Sequence, residues 1–496
     1  MKTTTTTLLL AALGTVVSST TTNCCQLLHS SLPTLLSFSP SAPYNHTTST
    51  YWSLTSSLLT PSCILLPTTT DDISTALSFL SLHPSCRFAI KGGGHNPAAG
   101  FSSIGEGGVT IDMSGLSDIE INPDHSIARV GAGAKWLSVY QFLNPLGIAV
   151  AGGRNGDVGL GGLLLGGGIA HLSPRVGWAC DNVVNFEIVL GNGTLTNTNL
   201  TSHPALFRAL KGGANNFGIV TRVDLSTFPQ GDIASSLVIN DIAQRGAVLK
   251  AFIDIADAAE FDVYASLVTS LVYTSSTKGW EIINIVAYTA PIAQPAVFKD
   301  LLSIPSTTNK TSLSLTTLAV LADESQTAPS NQIMATATFK PSLTLMLEFY
   351  DIANEFFTSF DVNGGITWLL TFEPLVAAMV PSSKINQGNI LGLGPEDKGF
   401  ILLLSASWAD TASTKAVQDA TRHVMSLLES SAEEKGLLLK FQYLNYAAAY
   451  QTPLESYGEE NLKFLRGVSR EYDPKGVFQK QVPGGFKLWQ CRGSLT

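Results

Sequence analysis

Phe88-Ala89-Ile90-Lys91-Gly92-Gly93-Gly94-His95 is an apolar run closed by a lysine, three glycines and a histidine. The apolar part reads as a buried strand. Three consecutive glycines let the backbone turn sharply and bring its N–H groups against an anion. A histidine at the end of such a loop stands at a fixed distance from whatever the loop grips. The stretch therefore predicts a strand that delivers a phosphate-bearing cofactor, with a reactive ring near His95. Alone, a glycine run of this kind is most often only a turn.

Two later glycine clusters change that weighting. One is Gly152-Gly153-Arg154-Asn155-Gly156-Asp157-Val158-Gly159-Leu160-Gly161-Gly162, followed by Gly166-Gly167-Gly168. The other is Lys211-Gly212-Gly213-Ala214-Asn215-Asn216-Phe217-Gly218-Ile219-Val220. There is no G-x-G-x-x-G, so a Rossmann fold is not supported. Near the C-terminus stand Tyr443-Leu444-Asn445-Tyr446, Tyr457-Gly458 and Tyr472-Asp473-Pro474-Lys475-Gly476-Val477-Phe478. In this order and spacing the blocks resemble the FAD-binding domain of the vanillyl-alcohol oxidase / p-cresol methylhydroxylase superfamily. The nearest branch is the berberine-bridge-enzyme-like oxidases in their secreted fungal form. The C-terminal block resembles the segment by which that family closes over the isoalloxazine.

The resemblance implies FAD bonded through His95 to the flavin 8α-methyl carbon. It gives the pyrophosphate to the backbone of Gly92, Gly93, Gly94 and His95, and to Gly156-Asp157. Lys91 either adds charge or is solvated. Gly161, Gly162 and Gly218 permit close backbone approach. Ile219 and Val220 resemble residues along the cofactor's edges, or are strand core. Many relatives carry a second tether, a cysteine where this chain has Asn155. Asparagine forms no thioether, so attachment is expected to be monocovalent. Asn155 then either hydrogen-bonds flavin or substrate or holds the turn. Val158 occupies the position of the family's oxygen gate, which favours oxidase over dehydrogenase. Tyr443 and Tyr446 are the candidates for catalytic base or proton relay. Asn445, between them, resembles a residue close to the ring, on the opposite side if the segment is extended. Glu373 is a weak counterpart of the family's middle-domain acid.

The rest of the chain bounds the answer. At 496 residues it exceeds one hydrophobic core. The resemblance and a drop in glycine after Phe228-Pro229 divide it into four parts: a signal segment (1–19), a PCMH-type FAD-binding domain of two subdomains (20–230), a substrate domain (231–440) and a segment returning to the FAD domain (441–496). The fold class expected is α+β, the substrate domain being an antiparallel sheet with flanking helices. Helical periods are read at Asp71–Leu82, Trp136–Leu143, Pro204–Leu210, Ala247–Ala256, Leu343–Phe357 and Thr414–Leu428. Strands are read at Ile127–Val130, Phe186–Leu190, Ile219–Leu225, Ser266–Tyr273, Ile282–Tyr288, Ile366–Phe372 and Phe400–Trp408.

Lys2, the apolar Leu8–Val17 and the small residues after it read as a secretory signal, too short to span a membrane. Four sequons agree with secretion: Asn45, Asn192, Asn199 and Asn309. A net charge of −9 argues against nucleic acid. The six cysteines contain no C-x-x-C, and the histidines form no metal pattern. Following the family, one of Cys24 and Cys25 is expected to pair with Cys86 and the other with Cys63. Cys180 reads as a buried small residue.

The expected activity is removal of a hydride from an alcohol or related carbon of a secondary-metabolite intermediate, by a monomer, with O2 as acceptor and H2O2 as product. An oligosaccharide oxidase is the alternative. Trp280 and Trp368 are its candidate sugar platforms, though sheet tryptophans are more often core. A non-catalytic flavin-binding surface protein is the rival from another class.

Overall fold

The computed structural model describes residues 24–380 and 388–489. The expected signal segment and Cys491 lie outside the described residues. Phe88–Lys91 forms a strand with Phe88 and Ala89 buried. It runs parallel to Val109–Asp112, which runs parallel to Cys63–Leu65. Parallel strands need a crossover, and the helix Thr70–Leu80 lies in the one from Cys63–Leu65 to Phe88–Lys91, which flank Val109–Asp112 on either side. Its start is fixed by a capping box: Asp72 N–H donates to Thr69 Oγ1, and Thr69 N–H donates to Asp72 Oδ2. Ile73, Ala76, Leu77 and Leu80 form its buried stripe. Disulfides Cys24–Cys86 and Cys25–Cys63 tie the helix Cys24–Ser31 to this layer, which decides between the two pairings left open.

A second sheet is wholly antiparallel, in the order Ile119–Ile121, Ile127–Gly131, Gly218–Ser226, Val183–Leu190, Leu195–Thr198. The third has eight antiparallel strands. Its order is Ser314–Thr316, Ile233–Asp241, Gly279–Tyr288, Ala265–Thr274, Ile366–Leu375, Gly399–Trp408, Asn331–Phe339 and Leu438–Leu439. Helices Arg245–Ala256, Leu343–Ser359 and Thr414–Glu434 cover one face.

Strand alternation sorts the residues of this large sheet. Trp368, Leu370, Phe372, Leu402, Leu404 and Ala406 join the core under the helices. The residues between them, Leu369, Thr371, Leu403, Ser405 and Ser407, face a cavity on the other side. Past Leu438–Leu439 the chain leaves the large sheet. Phe441, Tyr443, Leu444 and Leu465 enter the core of the five-stranded layer, and Val477, Phe478 and Val482 that of the first sheet. No helix among the described residues is long and apolar enough to cross a membrane.

Candidate active site

A cavity of about 610 Å³ opens between the glycine loops, the uncovered face of the large sheet and the returning segment. That is the size of a cofactor or ligand site. Two glycine loops meet at its floor. A Cβ on Gly93 would fall 2.4 Å from Gly159 N, and one on Gly159 would fall 2.3 Å from Gly93 N. Only glycine lets the two backbones press together, and Gly94 beside them has φ +71. The loops are thereby held with their backbones facing the cavity.

His95 lies on the cavity wall, stacked on Trp52 with ring centroids 4.3 Å apart. Burial brings its pKa down to about 4, against the pull of Asp157, so the imidazole is neutral at physiological pH. Its Nε2 is buried without a hydrogen-bond partner. An orphaned ring nitrogen on a cofactor-sized cavity is an atom awaiting a partner that the chain itself does not supply.

Across the cavity stands a buried polar triad. Arg154 Nη2 donates to Glu373 Oε1 at 2.7 Å and also to Tyr446 Oη. Tyr446 Oη donates to the same Oε1 at 2.8 Å. Burial lowers the Arg154 pKa and Glu373 more than restores it, so the guanidinium stays charged. Burial pushes the Tyr446 phenol well up, with Arg154 opposing. Tyr443 Oη accepts from Ile169 N at 3.0 Å and from Asn445 Nδ2 at 3.1 Å. Its pKa is pushed up to about 12 by burial, with those donors pulling the other way. Behind the triad, His171 Nδ1 and Ser266 Oγ share a 2.9 Å hydrogen bond. Burial and then the charge on Arg154 bring the His171 pKa down to about 3.

Residues 61–199 match the model of the FAD binding domain family. An FAD-dependent monooxygenase of Cochliobolus heterostrophus is 37% identical over 455 residues, covering 89% of this chain and 87% of the relative. A second FAD-dependent monooxygenase, from Aspergillus calidoustus, is 34% identical over 88% of this chain and 84% of its own. Among solved structures, glucooligosaccharide oxidase from Acremonium strictum superposes with a TM-score of 0.76 at 19% identity, covering 95% of this chain and all of that one. The berberine-bridge-enzyme-like protein 1 of Physcomitrella patens gives 0.77 at 17%, with the same coverage. This chain belongs to the family of these fungal FAD-dependent monooxygenases, and it shares its fold with the two solved oxidoreductases.

For an FAD-dependent oxidoreductase the cavity fits FAD: a glycine-walled floor and a neutral imidazole whose Nε2 has no hydrogen-bond partner. Gly92, Gly93, Gly94, His95, Asn155, Val158, Gly162, Tyr443, Asn445 and Tyr446 all line it. Other residues expected at the cofactor lie behind the wall. Lys91 is neither solvated nor in the cavity: it is buried, donating to Thr50 Oγ1 at 2.9 Å and lying 3.5 Å from Asp112. Gly156 N–H donates to the Ala322 carbonyl, and Asp157 pairs with Lys135 at 2.9 Å. Gly161 backs onto the Ala132 carbonyl, and Gly218 admits the strand beside it, where a Cβ would meet Val189 O at 2.7 Å. Ile219 and Val220 are buried in the layer cores.

Asn155 holds the turn. Its Oδ1 accepts from Asp157 N at 2.9 Å, and its Nδ2 donates to the Ser325 carbonyl at 2.6 Å. Asn445 does not point away from the tyrosines. The segment is a tight turn, with Tyr446 N–H donating to Tyr443 O, and this brings the Asn445 amide onto Tyr443 Oη. Trp280 and Trp368 are on the helix side of the sheet, packed on Phe357, and form no sugar platform. Arg154, in the second glycine cluster, is not singled out by the sequence; it joins the cavity wall through partners far along the chain, Glu373 and Tyr446.

Of the sequons, Asn45, Asn192 and Asn309 are exposed. Asn199 is half-buried, its amide donating to Asn185 Oδ1.

Proposed function

We propose that this chain is a secreted, monomeric oxidase carrying FAD singly attached through His95. It removes a hydride from an alcohol or related carbon of a secondary-metabolite intermediate and passes the electrons to O2, giving H2O2. The observation that carries the reading is Arg154 and Tyr446 on the wall of the cavity that also holds His95, both hydrogen-bonded to the buried Glu373 behind them. Bound FAD supplies the hydride acceptor. Tyr446 accepts the substrate hydroxyl proton while passing its own to Glu373 Oε1. A relay of this kind avoids a free phenolate, which burial strongly disfavours. Arg154 stabilises the oxygen that gains charge. Tyr443, held by two N–H donors, orients the group beside it.

Beyond Glu373 the sheet wall offers Thr371, Ser405, Ser407 and Gln332 between Leu369, Leu403 and Met334, and no charged side chain. It suits a neutral substrate with a few oxygens on an apolar frame. The names of the fungal relatives, FAD-dependent monooxygenases, support oxygen as co-substrate. The two disulfides agree with an oxidising compartment. The same hydroxyl wall keeps an oligosaccharide as the second reading.

The test begins with an absorbance spectrum before and after denaturation. Protein that stays yellow in the wild type and colourless in His95→Ala supports the linkage; free FAD released from wild type rejects it. A peroxide-release screen over phenolic alcohols and sugars follows. Product containing an oxygen atom from O2, without peroxide, would replace oxidase by monooxygenase.

A further inference from the structure

Trp52 lies outside every glycine motif, yet its indole stacks on the His95 ring. The two ring planes are 8° apart. Three further contacts restrain this part of the chain. Trp52 backbone N–H donates to the Gly94 carbonyl at 3.1 Å, and Leu54 N–H donates to the Ser330 carbonyl at 3.0 Å. The indole Nε1–H donates to Thr327 Oγ1 at 2.9 Å. The terminal torsion of a histidine is otherwise broad. An indole fixed at both ends removes that freedom and covers one imidazole face, while Nε2 is left without a hydrogen-bond partner.

We propose that Trp52 is the positioning residue that presents the His95 imidazole edge to the flavin for covalent attachment. The inference rests on the reading that FAD is bonded to His95. Attachment breaks one C–H bond of the 8α-methyl group and the imidazole N–H bond and forms one C–N bond. The two protons and two electrons released go to dioxygen, giving H2O2. The bond needs a neutral imidazole whose in-plane lone pair is aimed at the carbon. Burial supplies the neutral form, and the stack supplies the aim. Holding a reacting pair in a near-attack geometry is a large part of such a rate.

The experiment uses full-length chain produced without riboflavin, mixed with FAD in air. Attachment is followed as the fraction of flavin that stays with acid-precipitated protein. Trp52→Ala is expected to bind FAD but to attach it about tenfold or more slowly. Trp52→Phe, which keeps a flat ring, should recover most of the rate, and Thr327→Val, which removes only the indole's anchor, should be intermediate. Trp52→Ala attaching at the wild-type rate overturns the proposal. If Trp52→Ala does not fold, wild-type attachment in Thr327→Val overturns it. Wild-type protein that releases all its flavin defeats the underlying linkage instead, and the two failures are thus told apart.

Discussion

Glu373→Gln probes the proton path. Glu373 Oε1 lies 2.7 Å from Arg154 Nη2, and the Glu373 side chain is 4% exposed. The amide keeps the shape and one acceptor oxygen. It removes the charge and puts N–H groups where Oε2 already has no partner. Arg154 becomes a buried cation without its counter-charge, which costs about 3–5 kcal/mol. For a half-chain of some 200 residues this is a fall of roughly 10 °C in melting temperature. The chemical loss is separate: a positioned proton acceptor contributes about 10²–10⁴ in rate. Anaerobic stopped-flow bleaching of the flavin by a substrate found in the peroxide screen should slow by that factor. Tyr446→Phe should lose a similar amount, and the double variant no more than either, because both groups handle one proton. Flavin reduction at near wild-type rate in Glu373→Gln would refute the relay. So would a double variant whose loss is the product of the two single losses.

Three other perturbations have defined outcomes. His171 is neutral when folded, with a pKa of about 3, below its unfolded value of about 6.5. The unfolded chain therefore binds the extra proton between those values, and the His171 contribution lowers stability as pH falls through that window, by up to about 1.4 kcal/mol per pH unit. His171→Gln should flatten the melting temperature against pH from 6.5 toward 3; superimposable curves would reject it. Val158→Phe should slow reoxidation by O2 about tenfold, roughly 1.4 kcal/mol on the barrier, and leave anaerobic reduction unchanged. Equal reoxidation rates would remove Val158 from the oxygen path. Cys86→Ser opens the link to Cys24, and because Cys25–Cys63 still ties the neighbouring residue, only the loop from Cys63 to Cys86 is released, which the chain-entropy relation values at about 3.5 kcal/mol. An unshifted denaturation midpoint would contradict that.

Elements with strong apolar periodicity were legible from the sequence. The helix expected at Pro204–Leu210 occupies those residues, and the strand Phe400–Trp408 extends by one. Asn331–Phe339 was missed, because its letters, NQIMATATF, carry little apolar signal. It is buried by hydrogen bonding: Thr336 Oγ1 donates to the Leu402 carbonyl, and the Gln451 side chain closes on both backbone groups of Thr336. Helix Glu459–Tyr472, polar on most of its surface, was missed as well. In the site, glycines marked the loops because close backbone approach is a local demand. Arg154 left no such mark, since its meaning comes from Glu373, 219 residues away. The turn at Asn445 likewise depends on what Tyr443 meets in space.

The alternation in the large sheet separates two kinds of inheritance. Positions 332, 334, 369, 403, 405 and 407 can drift under selection for a new substrate while their immediate neighbours, turned toward the helices, preserve the scaffold. A lineage can diversify its chemistry by point changes on every second letter of three strands. A single-codon deletion in one of them would exchange the two sets of side chains at once. Insertions and deletions in this family's sheet should therefore be confined to the connecting loops.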